Sequence, residues 1–140
     1  MRICIDSCVF IQDLQGLDTA ASRVLALVSP QLVLLIPRLV AQEVVRNLGT
    51  PEQVRRFYRL FQDCGFAFIV DEPVPATLVR KYVRLGLPEK ADAYIGAFAE
   101  WLQLGYLISD NRHFLRGLQA EVFTVLDPDT FVSKWESGTL

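Results

Sequence analysis

The sequence predicts an α/β fold, with a central, mainly parallel sheet of four to five strands and helices on both faces. Three observations predict it. Short apolar runs alternate with helical patterns along the whole chain. The segments between the runs are long enough to be crossover helices, which join parallel strands. One run, LVLLI at 32–36, is apolar without alternation, as expected of a strand buried on both faces.

The elements follow in order. Arg2–Ile5 reads as the first strand. Thr19–Val28 reads as a helix, with Asp18 or Thr19 as its N-cap and Pro30 beyond its end. Leu32–Ile36 is the second strand. Pro37 then stands where a helix can begin, and Leu39–Leu48 continues it to Gly49. Thr50-Pro51-Glu52-Gln53 is a helix start: Thr50 caps, Pro51 fits the first turn, and Gln53 stands where a capping box places Glu or Gln. That helix runs to about Cys64, and Gly65 stops it. Phe66–Val70 is the third strand. A helix follows from Pro75 or Ala76 to Leu85, closed by Pro88. Ala91–Leu104 is a longer helix ended by Gly105. Tyr106–Ser109 and Val122–Leu126 are the last two strands, and Pro128–Trp135 is a short final helix.

With 140 residues, 51% of them hydrophobic, nine Phe and two Trp, the chain can build one packed domain over 1–140. No apolar run approaches the roughly 20 residues that span a bilayer. The N-terminus, one Arg and then an acid, does not read as a signal peptide. Three cysteines cannot all pair, and Cys4 and Cys64 sit in apolar surroundings. A reduced, cytoplasmic protein is expected. The net charge of −2 argues against a uniformly basic nucleic-acid binder. Basic residues nonetheless cluster: Arg46 with Arg55, Arg56 and Arg59; Arg80, Lys81 and Arg84; Arg112, His113 and Arg116. Such clusters beside acids could hold a phosphate backbone, although solvated helix faces carry the same pattern.

In parallel α/β sheets, ligands bind beyond the carboxyl ends of the strands. Two strands here end on an acid, ICID at Asp6 and LISD at Asp110. Glu43 lies on the helix after the second strand, with Leu39, Val40, Arg46 and Asn47 at helical spacing. Asp92 opens the helix ADAYIGAFAEWLQLG, with Ile95, Gly96 and Ala99 along its face. Each acid alone has an ordinary explanation. Asp6 and Asp110 could cap short helices, Asp92 could favour a helix N-terminus, and Glu43 could pair with Arg46. Four carboxylates on one rim would repel one another, and a divalent cation would resolve the repulsion. Carboxylates and water suit Mg²⁺ or Mn²⁺. One His and no paired Cys spacing except Cys4 and Cys8 argue against a soft-metal site.

The stretches ICIDSCVFI, LIPRLVAQEVVRNL, KADAYIGAFAEWLQLGYLISDNRHF and VLDPDTFV, in that order, resemble the PIN-domain family. In size the chain resembles the single-domain VapC-like toxins of prokaryotic toxin–antitoxin pairs. The resemblance covers most of the chain. It implies a three-layer α/β/α fold and a Mg²⁺- or Mn²⁺-dependent endoribonuclease leaving a 5′-phosphate and a 3′-hydroxyl. Asp6, Glu43, Asp92 and Asp110 occupy the family's four acidic positions, with Asp6, Asp92 and Asp110 as metal ligands and Glu43 as a candidate proton acceptor. Ser7 and Ser109 stand in supporting positions. Arg112, His113 and Arg46 are candidates to hold the RNA backbone. The expected partners are RNA, a cognate antitoxin and a second copy of the chain, the last because the apolar helices from Pro51 to Leu85 offer a surface. The sequence departs from the family at Cys8, where an Asn is usual beside the first acid. That departure favours a second possibility, a catalytically weak module that binds RNA or a protein. A haloacid dehalogenase-like phosphatase would want an Asp where Cys8 stands. A receiver domain would want an acid pair and a late Lys that are missing.

Overall fold

The computed structural model describes residues 1–17, 19–87, 90–118, 120 and 122–140, without the side chains of Thr19 and Lys90. The expected cap Asp18 and the expected loop residue Pro88 lie outside these. Five strands form one parallel sheet: β1 Arg2–Ile5, β2 Val33–Pro37, β3 Ala67–Val70, β4 Tyr106–Ile108 and β5 Thr124–Leu126. Their order is β3-β2-β1-β4-β5. Helices α1 (Ser7–Leu14), α2 (Thr19–Ala26), α3 (Arg38–Asn47) and α4 (Pro51–Asp63) pack on one face, joined by α7 (Pro128–Ser137), which lies against α2. Helices α5 (Ala76–Arg84) and α6 (Lys90–Trp101) pair with each other in the crossover from β3 to β4. The chain therefore winds one way from β1 to β3 and the other way through β4 to β5.

β1 sits at the centre because both its faces are apolar. Ile3, Cys4 and Ile5 are all fully buried. Ile3 pairs with Leu34 on one side, and Cys4 and Ile5 pair with Leu107 and Ile108 on the other. Burying each such isoleucine contributes about 1.5–3 kcal/mol. The helix signals act locally as their chemistry predicts. The Gln53 N–H donates to Thr50 Oγ1 at 3.2 Å, and the Gln53 side chain reaches back to the Gly49 N–H at 2.9 Å. The capping box thus closes one residue earlier than its usual form. Asp127 caps α7 by accepting from the Thr130 N–H at 2.8 Å, and Gly138 ends that helix at φ 69°, a left-handed conformation that glycine adopts without strain.

Two elements are additional to those expected. α1 begins directly after Asp6, and a single π-helical turn spans His113–Gly117. The fifth strand is shorter than expected, beginning at Thr124. The three cysteines are free. Among the described residues no helix is long and apolar enough to cross a membrane.

Candidate active site

The winding reverses between β1 and β4, and in open α/β sheets that point carries the ligand crevice. The residues just beyond the two strands are Asp6 and Ser109. Asp6 leaves β1 in an extended conformation, φ −71° and ψ 157°, and caps α1: its Oδ1 accepts from the Ser7 N–H at 2.8 Å. Its own N–H donates to the Ile108 carbonyl at 2.9 Å, tying it to β4. The Ser109 hydroxyl donates to Asp6 Oδ2 at 2.8 Å, and the Cys8 thiol lies 3.7 Å from the same oxygen. Asp6 is 3% exposed.

That carboxyl is raised from 3.8 to about 6. Burial is the main cause; the bonds from Ser109 and Ser7 oppose it, and the charges of Glu43 and Asp92 add to it. The cap explanation and the cluster explanation are therefore both true of Asp6. Its charge is supported by a helix start and opposed by two other acids.

Glu43 reaches the same place from the middle of α3. Its Oε2 accepts from the Ser7 hydroxyl at 2.8 Å. Asp92 arrives from the first turn of α6 and is also buried. Its Oδ1 accepts from Asn111 Nδ2 at 3.3 Å, and its Oδ2 lies 2.9 Å from His113 Nδ1. Asn111 completes the connection. Its N–H donates to Ser109 Oγ at 2.9 Å, and its Oδ1 accepts from the His113 N–H at 2.9 Å. The result is one continuous network: Glu43, Ser7, Asp6, Ser109, Asn111, Asp92, His113.

Glu43 and Asp92 therefore both come within electrostatic reach of Asp6, with Ser7 and Ser109 beside it. Asp110 adjoins the Cys8 thiol, and Asn111 and His113 both reach Asp92. Cys8 is held protonated: burial first, then Asp6, then Asp110 push its thiol up to about 12. Of the expected phosphate-holding residues, His113 contacts Asp92, Arg112 is exposed just before the π-helical turn, and Arg46 is exposed one turn along α3 from Glu43. Asn111 is the residue that sequence reasoning passed over, since it carries no charge. Its signal was its position, two residues past a strand end at the winding reversal.

The carboxylate oxygens of Asp6, Glu43 and Asp92 suit a hard divalent cation. Among the described residues, however, no three Asp, Glu, His or Cys side chains converge as a coordinating group. Hydroxyl and amide groups stand between the carboxylates. A cavity of about 410 Å³ lies elsewhere: an apolar groove between α1, α2 and α4, based on Phe10, Leu14, Leu25, Phe57 and Leu60.

No protein-family model matches the sequence, and no curated protein is similar to it. Solved structures are similar in fold. One is VapBC2 from Rickettsia felis bound to a DNA fragment from its promoter, with a TM-score of 0.68 at 13% identity, covering 91% of this chain and 98% of that one. Another is a toxin–antitoxin complex from Klebsiella pneumoniae, with a TM-score of 0.62 at 20% identity, covering 90% and 97%. A third is the PIN domain of RRP44 from T. brucei, with a TM-score of 0.63 at 9% identity, covering 97% and 81%. The chain has the PIN-domain fold shared by these structures.

Proposed function

We propose that this chain is a divalent-metal-dependent endoribonuclease and the toxin of a toxin–antitoxin pair. The observation that carries the proposal is the buried carboxylate of Asp6, linked to Glu43 and Asp92 at the winding reversal of a PIN fold. Asp6 and Asp92 would hold Mg²⁺ or Mn²⁺, with Asp110 as the third candidate ligand. The hydroxyl and amide groups between the acids suit Mg²⁺, which usually keeps several of its waters. When bound, the ion supplies a water of lowered pKa and neutralises charge on the phosphate.

The chain's own groups supply the rest. Ser7 N–H, Ser109 and Cys8 fix the Asp6 carboxylate from three sides. Asn111 and His113 fix Asp92. Glu43 is less buried than Asp6 and is oriented by the Ser7 hydroxyl, so it is the acid placed to accept a proton from the attacking water. Arg112 and Arg46, both exposed, would hold the flanking phosphates. Hydrolysis in this sense leaves a 5′-phosphate and a 3′-hydroxyl.

The toxin–antitoxin structures of the same fold support a cognate antitoxin as partner, and the apolar groove of α1, α2 and α4 is a surface able to receive one. A homodimer is part of the same proposal, supported by exposed Phe66 just before β3, Phe68 on β3 and Val83 on α5. A second possibility, a non-catalytic module that binds RNA or protein, is favoured by the lack of three converging ligands among the described residues.

Asp92→Asn separates the two. It preserves shape and a helix-start side chain but removes a charge. Mn²⁺-dependent cleavage of a mixed RNA pool should fall about 10²-fold or more, the lower range for loss of one catalytic group, with an unchanged circular dichroism spectrum. A folded variant that cleaves at the wild-type rate would overturn the proposal, as would a wild type that cleaves nothing in Mn²⁺.

A further inference from the structure

Beside the acidic network, α3 and α4 form a shallow double groove that the chemistry above leaves unused. Gln42, Val45, Arg46 and Tyr58 line one concavity of about 320 Å³. Val54, Arg55, Tyr58, Arg59 and Gln62 line the next, of about 260 Å³. Tyr58 belongs to both, so the two are continuous across its ring. On α4, Arg55, Tyr58, Arg59 and Gln62 recur at helical spacing and share one face. Arg46, Arg55 and Arg59 are exposed, and none enters an ion pair found among the described residues. The Tyr58 ring is half-buried and braced edge-on by Phe57, with centroids 5.3 Å apart.

The groove also borders Glu43 on α3. At about 100° per residue, Arg46 stands about 60° around α3 from Glu43, and Gln42 about 100° in the same sense. A strand leaving the groove past Arg46 would have Glu43 one helical turn away.

We propose that this groove binds single-stranded RNA, with the three arginines on the phosphates and Tyr58 stacked against an unpaired base, feeding the strand to the acidic network. The proposal rests on the nuclease proposal for the direction of travel, and on charge and ring placement for the binding itself. A braced aromatic face between guanidinium and amide groups suits a nucleobase and its flanking phosphates. An acidic peptide would use the charges alone.

The test is fluorescence anisotropy of a labelled, unstructured RNA of mixed sequence, in chelator so that nothing is cleaved. Tyr58→Leu keeps an apolar contact for Phe57 and removes the platform. It should weaken binding about 5- to 150-fold, the usual range for one stacked base, with the salt dependence unchanged. Arg55→Gln with Arg59→Gln should lower the slope of log K against log salt by about 1.4, at about 0.7 per phosphate contact on a single strand. Circular dichroism serves as the folding control.

The proposal is overturned if the wild type does not bind, or if both groove variants bind like the wild type. It is also overturned if the same sequence as a duplex binds as tightly as the single strand. A Glu-rich peptide that binds more tightly than RNA through the same arginines would overturn it in favour of a protein partner. Cleavage is scored separately. Binding through the groove without Mn²⁺-dependent cleavage would sink the nuclease proposal alone. Cleavage with an unchanged KM in the groove variants would sink the groove alone.

Discussion

Asp6 concentrates the chemistry of the site in one side chain. Its charge is favoured by the α1 N-terminus and the Ser109 hydroxyl, and disfavoured by burial and by two acids. Burial wins, leaving the carboxyl at about 6 against 3.8 in the unfolded chain. A folded-state value above the unfolded one means that the fold prefers the protonated acid. That preference is fully present below pH 3.8 and is lost as pH rises through about 6. Above that window the native state carries a cost of about 3 kcal/mol. Asp6→Asn has no proton to lose there. In chelator, its melting temperature should therefore gain on the wild type between pH 4 and pH 7, by several degrees in all. Paired thermal scans across pH read it directly, and a difference that stays flat with pH would mean the carboxyl titrates normally.

Elements carry the packing that holds the acids in place, and α6 depends on a glycine to do so. A Cβ built on Gly96 would lie 2.8 Å from Tyr82 Cδ1 and 3.2 Å from Leu87 Cδ1. Tyr82 is fully buried and stacked on Phe123, with centroids 6.0 Å apart, so its ring has little room to retreat. Gly96→Ala gains helix propensity of about 1 kcal/mol and meets an overpacking penalty of about 1–3 kcal/mol. The penalty should win. The variant should unfold at a lower denaturant midpoint than the wild type with the slope unchanged, and a higher midpoint would mean that α5 yields easily.

The same elements show what was legible in the sequence. Strands and longer helices were, because their apolar runs and caps act locally: Thr50 and Pro51 do in the structure what their chemistry predicts. The full extent of α1 was less legible, because Asp6 ends a strand and starts a helix at once. The π-helical turn had no signal, since its unusual hydrogen bonding follows no side-chain period. Within the site, charge was the guide, so Asp6, Glu43 and Asp92 stood out and Asn111 did not. An amide that links Ser109 to Asp92 is visible only when the end of β4 and the start of α6 are set side by side.

At the scale of the whole molecule, the question is whether the acids form one metal site or are merely near neighbours. Asp6, Glu43 and Asp92 bring three negative charges to the reversal point of the sheet, and the fold carries their repulsion when no cation is present. A cation that binds only the folded chain stabilises it by RT ln(1 + [L]/Kd), about 2.7 kcal/mol at a hundredfold excess over Kd. For a chain of this size each kcal/mol moves the melting point by roughly 2–6 °C. Millimolar Mn²⁺ should therefore raise the melting temperature of the wild type above that of a chelated sample by at least several degrees. Asp6→Asn at neutral pH should melt higher than the wild type in chelator, because one repelling charge is gone, and should respond much less to Mn²⁺. Independent helix caps predict the opposite pattern: no metal shift, and little change or a mild loss from Asp6→Asn, since Asn caps a helix about as well as Asp and only the favourable charge at the helix start is lost. The crossing of these two patterns is the decisive feature, because a variant that is more stable without metal and less responsive with it cannot be explained by damage to the fold. Superimposable wild-type curves in Mn²⁺ and in chelator would remove the proposed metal site, and with it the proposed nuclease chemistry.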